Sequence, residues 1–165
     1  MKHVVLCLLL AVLCVSPAFS EAYLSANDLD PASLPSSKTF DDVTIIATAD
    51  KGVTIERIDQ VREAADGEVF NLRIKLNGSG KPTYRCVSVP AKAGETLTVY
   101  LNSSSKTDAR ILAVTTADGT EVGTITAPAD DGAHAGIGTF TIPKDGAYLL
   151  FSKGSGINLY AVVVE

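Results

Sequence analysis

The sequence predicts an all-β protein, an antiparallel β-sandwich of about nine strands, and three observations carry that expectation. Apolar and polar residues alternate with period two in run after run from Thr39 onward. Turn-forming pairs rich in Gly, Asp, Asn and Pro separate the runs at short spacing, and no segment between them sustains a helical period over any length.

The chain opens with Lys2 and His3, an unbroken apolar run from Val4 to Val15, and the small-residue stretch Ser16-Pro17-Ala18-Phe19-Ser20. This is the pattern of a cleaved signal peptide over 1–20, with Ala18-Phe19-Ser20 fitting the small-x-small rule and Glu21 as the new N-terminus. An apolar run of about 12 residues is well short of the ~20 that a membrane-spanning helix needs, and no later segment is apolar enough to try. A lipid anchor would place Cys14 at the acylated position, but Leu13 stands where a small residue is expected. The expected destination is outside the cell or on its surface, with the periplasm as the alternative.

About 145 residues remain after cleavage, one domain's worth. Lys2 leaves with the signal, so 13 basic side chains face 19 acidic ones, a formal charge of −6. That sign argues against nucleic acid and anionic lipid as partners. Cys86 becomes the only cysteine, so no disulfide forms within the chain; it reads as a buried apolar thiol.

Residues 21–38 carry two Pro, several Ser and Asp and no period, and read as a flexible leader ahead of a sandwich domain over 39–165. Strands are expected at Val43 to Ala47, Val53 to Ile55, Phe70 to Leu76, Tyr84 to Val89, Thr96 to Leu101, Arg110 to Thr115, Glu121 to Ala127, Gly138 to Ile142, Ala147 to Ser152 and Ile157 to Val164. Phe70, Leu72, Ile74 and Leu76 would face the core, with Asn71, Arg73, Lys75 and Asn77 outward. Between Ile55 and Ala65 the spacing of Ile55, Ile58 and Val61 admits a helical turn or an irregular crossover.

Catalytic and metal chemistry find little to build on. His134 is the only histidine after cleavage and sits in a Gly-, Ala- and Asp-rich loop, so a histidine-based nucleophile or a zinc site lacks partners. Asp130-Asp131-Gly132 and Asp118-Gly119 could offer oxygen ligands to calcium, but neither has the EF-hand spacing and both read as Asp-Gly turns. Gly78-Ser79-Gly80-Lys81 lacks the spacing and the helix of a phosphate loop. No cofactor is expected, and the chain does not read as an enzyme.

The basic residues say more. Arg73 and Lys75 share one strand face, and Lys81, Arg85, Arg110 and Lys153 lie in neighbouring turns or strands, a patch suited to a uronic-acid polymer. Arg85 and Arg110 also share strand phase with Val87 and Val89 and with Leu112 and Val114, which would place them at the core rim. There is no Trp; Tyr84, Tyr100, Tyr148 and Tyr160 all fall in expected strands, and Tyr84 lies nearest the patch.

The stretches Phe70-Asn71-Leu72-Arg73-Ile74-Lys75-Leu76-Asn77-Gly78-Ser79-Gly80, Leu97 to Ser105, and Leu149-Leu150-Phe151-Ser152-Lys153-Gly154-Ser155-Gly156-Ile157-Asn158-Leu159-Tyr160 resemble a known module. It is the small jelly-roll β-sandwich found beside catalytic domains in secreted bacterial pectate lyases and related surface proteins. The resemblance begins at Lys38-Thr39-Phe40-Asp41 and runs to the C-terminus, and it falls on Arg85, Arg110 and Lys153. It implies a jelly-roll-like fold and an accessory, non-catalytic, carbohydrate-related role. Arg73, Lys75, Tyr84, Arg85, Arg110 and Lys153 are therefore the candidate ligand-binding residues, and an acidic polysaccharide is the expected partner. The sequence carries no catalytic domain beside the module, and the benefit of local concentration needs a linked enzyme. That opens a second expectation, a structural subunit of a surface layer, sheath or filament that pairs with further copies of itself through exposed strand edges.

Overall fold

The computed structural model describes residues 21–165. The expected signal peptide, with Cys7 and Cys14, lies outside the described residues. The elements run β1 (Ala22–Ser25), a 3-10 turn (Ala26–Asp28), β2 (Ala32–Leu34), β3 (Lys38–Phe40), β4 (Val43–Ile46), β5 (Val53–Ala64) and β6 (Val69–Leu76). They continue with β7 (Cys86–Ala91), β8 (Thr96–Ser103), β9 (Arg110–Thr116), β10 (Glu121–Ala127), β11 (His134–Thr141), β12 (Gly146–Ser152) and β13 (Ile157–Val164). Among the described residues no helix is long and apolar enough to cross a membrane.

The strands form two sheets. One has the order β10-β9-β12-β7-β4-β3 and is antiparallel throughout. The other has the order β1-β13-β6-β5-β11-β8, with β2 added on β5. A further pairing of β13 with β8 closes the second sheet on itself, and its one parallel contact is the short β11–β5 pair. The alternation read in the sequence is the packing rule: Phe70, Leu72, Ile74 and Leu76 are buried while Arg73 and Lys75 are half-exposed. Ile45, Val87, Leu112 and Leu150 from the first sheet meet Ile74, Leu101, Leu159 and Val162 from the second in one apolar core. Each such side chain contributes roughly 1.5–3 kcal/mol by leaving water. The fold is an antiparallel β-sandwich, as the alternation predicted.

Strand β13 holds the second sheet together. It pairs with β8 along its length, with β6 over Ile157–Leu159 and with β1 over Ala161–Val164. A one-residue register shift between Leu159 and Ala161 changes the phase, so Ile157 and Leu159 before it and Val162 and Val164 after it all face the core.

Three expectations are corrected here. The described residues carry thirteen strands rather than about nine, because several of the extra ones are only three or four residues long and too short to show a period. Residues 21–38 are no mobile leader: Ala22 to Ser25 pair with Ala161 to Val164, and Ala22, Leu24 and Ala26 are buried. The Asn27 side chain anchors this segment, donating to the Val69 carbonyl at 2.8 Å and accepting from the Asn71 amide at 3.0 Å. The segment from Ile55 to Ala65 forms no helical turn. It continues β5 to Ala64, where residues 58–61 bulge between the pairs Arg57↔Leu72 and Arg62↔Phe70, and the bulge breaks the period-two pattern.

If residues 21–26 belong to the sandwich, Leu24→Ala in the chain starting at Glu21 removes a side chain that is 3 % exposed. Urea unfolding is expected to show a loss of about 2–5 kcal/mol. A loose leader would change stability by less than about 0.5 kcal/mol.

Candidate functional site

Three connections meet at one end of the sandwich: the start of the β6–β7 link, the start of the β8–β9 link and the end of the β12–β13 hairpin. Gly156 joins them. Its carbonyl accepts from the Ser104 amide at 3.0 Å, and a Cβ at its position would stand 2.8 Å from Ser104 Oγ and 3.5 Å from the Gly78 amide nitrogen. A side chain at this position would also stand 3.2 Å from the Leu76 carbonyl oxygen, so the Ser104 hydroxyl and the neighbouring backbone would have to shift to admit it.

Arg110, the first residue of β9, reaches into this junction, where its Nη1 donates to Ser104 Oγ at 2.5 Å and to the Gly156 carbonyl. Its phase with Leu112 and Val114 is as expected, and it is half-buried at the rim of the core. Arg85 arrives from the other side, but not in the phase of Val87 and Val89. It precedes β7 and has φ 46°, a left-handed conformation that costs a non-glycine residue roughly 1–2 kcal/mol. Its Nη1 lies 2.8 Å from where a Gly78 Cβ would be, and Gly78 itself has φ 109°. The Arg85 Nε is buried without a hydrogen-bond partner. Neither guanidinium forms an ion pair among the described residues, although the Asp108 carboxyl, held low by Ser105 and Thr107, also senses the charge of Arg110.

The other expected site residues lie apart from this junction. Arg73 and Lys75 do share an outer strand face, and both are engaged by Glu56 on β5: Arg73 Nη2 at 2.5 Å and Lys75 Nζ at 3.3 Å from Glu56 Oε1. Burial alone would raise the Glu56 carboxyl, but the hydrogen bonds and charges of Arg73 and Lys75 outweigh it and hold it low. Lys153 stands on the β12–β13 hairpin and pairs with Glu121 at 2.9 Å in an exposed contact worth about 0–1 kcal/mol. Tyr84 lies in the β6–β7 connection rather than in a strand, bridged through its backbone to Lys81 at 3.0 and 3.1 Å. Tyr148 and Tyr160 are fully buried, which removes them as platforms.

A second polar arrangement, missed in the sequence, lies on the closed sheet. Arg62 and Asp130 form a buried, two-pronged ion pair, Nε to Oδ1 at 2.8 Å and Nη2 to Oδ2 at 3.0 Å. The carboxylate raises the Arg62 pKa further. Asn158 pairs in register with Asn102, and both Asn158 amide atoms, Asn102 Oδ1 and the Tyr160 hydroxyl are buried without hydrogen-bond partners. No spacing in the sequence signals this set, because its members come from three strands and a loop.

The groups considered for catalysis or metal binding have structural partners. Burial pushes the Cys86 thiol up to about 12, which leaves it protonated and inert near neutral pH. His134 Nδ1 lies 2.7 Å from the Asp131 carboxylate in the open. Asp118 accepts from Thr116 Oγ1 at 2.5 Å and the Thr120 amide at 3.0 Å, which hold it at about 2. Among the described residues no three His, Cys, Asp or Glu side chains gather as a metal site.

No protein-family model and no curated protein matches the chain. Among solved structures the chain is similar to carbohydrate-binding modules. One, from Clostridium stercorarium, belongs to family 6 and was solved with cellobiose; it matches at TM-score 0.42 and 15% identity, over 87% of this chain and 92% of that one. A family 35 module from Clostridium thermocellum matches at TM-score 0.46 and 12% identity, over 88% and 97%. A family 36 module solved with calcium and xylotriose matches at TM-score 0.44 and 11% identity, over 87% and 98%.

The buried Arg62–Asp130 pair yields a stability test. Asp130→Ala leaves a buried guanidinium uncompensated and is expected to cost about 3–5 kcal/mol in urea unfolding. Replacing both partners, Arg62→Met with Asp130→Leu, is expected to cost clearly less; an equal or larger loss in the double variant would contradict a simple buried pair.

Proposed function

We propose that this chain is an exported, non-catalytic protein that binds an acidic polysaccharide through Arg85 and Arg110. The observation that supports the reading is the glycine-lined junction at the sandwich end. Arg85 at the end of the β6–β7 link and Arg110 at the start of β9 meet there, neither in an ion pair among the described residues, in a chain whose net charge is −5. A guanidinium fork donates two parallel hydrogen bonds to a carboxylate, and such charge-assisted bonds are worth about 1.5–3 kcal/mol each. Arg85 is held ready by its backbone: φ 46° turns the side chain back over Gly78. Lys81, exposed as the fifth residue of the same link, adds charge there. The Arg73–Lys75 face is the weaker contact, since Glu56 already occupies both cations. The resemblance to modules of pectate lyases makes polygalacturonate the first polymer to try, and the signal-like residues 1–20 fit a protein that meets its polymer outside the cytoplasm.

Native affinity gels containing polygalacturonate, alginate, xylan or no polymer test the proposal with the chain from Glu21. Retardation is expected in polygalacturonate. It should weaken about tenfold or more in apparent affinity for Arg85→Ala with Arg110→Ala, and stay within about twofold for Arg73→Ala with Lys75→Ala. Unchanged mobility in every gel would contradict glycan binding, and loss confined to the second pair would move the contact to the sheet face. A melting curve for each variant separates lost binding from lost fold.

A further inference from the structure

The outer face of the closed sheet carries a second recess, at the opposite end of β13 from Gly156. It lies roughly 20–25 Å from the arginine junction, judged from about seven residues of extended strand. Its floor is Ala161 and Val163 of β13, whose neighbours in register are Tyr23 on β1 and Thr98 and Tyr100 on β8. The two small side chains in the middle strand leave a cleft of about 250 Å³ between two tyrosines.

Both walls are set by packing. Tyr23 is 50 % exposed and presents its ring to solvent, fixed by the pairing of β1 with β13. Tyr100 leans on Phe70, with ring centroids 5.2 Å apart at 52°, and Phe70 stacks on the buried Tyr160 at 5.4 Å and 21°. The Tyr100 hydroxyl donates to Asp66 at 2.7 Å. Glu68 and Glu165 complete the lining, and no lysine or arginine contributes to it. The charge around Tyr100 is felt directly: burial, the hydrogen bond to Asp66, and the charges of Asp66, Glu68 and Glu165 push its phenol up to about 12. This recess therefore has the opposite sign to the arginine end.

We propose that the Tyr23–Tyr100 cleft binds an ammonium-bearing sugar residue, an amino sugar with a free amine. A pyranose presents a C–H face that packs on a tyrosine ring, and tyrosine faces and carboxylates both attract an ammonium group. The carboxylates rule the other way for uronic acids, so this cleft and the arginine junction take ligands of opposite charge and stand on separate residues. The opening is smaller than the roughly 300–1,000 Å³ of a drug-sized pocket, which suits one ring rather than an enclosed oligomer.

Calorimetric titration of the chain from Glu21 at pH 5.5 tests this with a glucosamine hexamer, whose amines are then charged, against the N-acetylglucosamine hexamer, which has the same rings without the charge. The amine form is expected to bind about tenfold more tightly. Glu68→Gln should reduce that preference several-fold, and Tyr23→Ala should weaken both ligands; both are exposed positions where substitution leaves the fold intact. Equal affinity for the two hexamers, or no heat with either, would overturn the proposal. Tyr23→Ala should leave retardation in polygalacturonate unchanged, so failure of the cleft reading and failure of the arginine reading are separately visible.

Discussion

The structure depends on β13 serving three neighbours at once. A strand in a flat sheet has two edges and two partners; β13 pairs with β8 on one edge and divides the other between β6 and β1. The division coincides with the register shift after Leu159, which lets a single strand keep its apolar residues on the core side through the change of partner. Without the shift, Ala161 and Val163 would face the core and Val162 and Val164 would point outward beside β1.

Both candidate sites follow from this arrangement. At the start of β13, Gly156 draws the β12–β13 hairpin against Ser104 and Gly78, and Arg110 and Arg85 close over the junction. At its far end the changed phase turns Ala161 and Val163 outward, where their small size leaves room between Tyr23 and Tyr100. Between them the outward positions are polar and closely packed, Asn158 beside Asn102 and Lys75 in register. The ion pairs on the sheet face, Arg62–Asp130 and Arg73–Glu56–Lys75, neutralise charge locally. At the junction, Arg85 from the end of the β6–β7 link and Arg110 from the start of β9 form no ion pair among the described residues.

Much of the fold was legible because period-two alternation is a direct imprint of half-buried strands. β4, β6 and most of β8 alternate buried apolar residues with more exposed ones, and β9, β12 and β13 are short apolar runs bounded by turn residues. The N-terminal strands were not. Ala22-Tyr23-Leu24-Ser25 offers only two apolar-in positions, and its burial depends on β13, some 140 residues away in sequence. The bulge in β5 mimicked a three-residue spacing for the same reason that bulges disrupt any strand pattern: residues 58–61 have no partner to alternate against. For the sites, the basic residues themselves could be picked out, but their grouping could not. Glu56 faces Arg73 only through the β5–β6 register, and Arg85 leaves its expected phase because of one positive φ. Tyr23 was hidden in a segment whose Pro and Ser content reads as linker.

The most direct test of the arginine junction is amide chemical-shift mapping of the uniformly labelled chain from Glu21, titrated with a galacturonate hexamer. Saturable shifts confined to Gly78 to Arg85, Ser104, Arg110 and Ser155–Gly156 are expected. Shifts centred on Arg73 and Lys75 instead, or no saturable shift anywhere, would contradict the assignment of binding to the glycine-lined end.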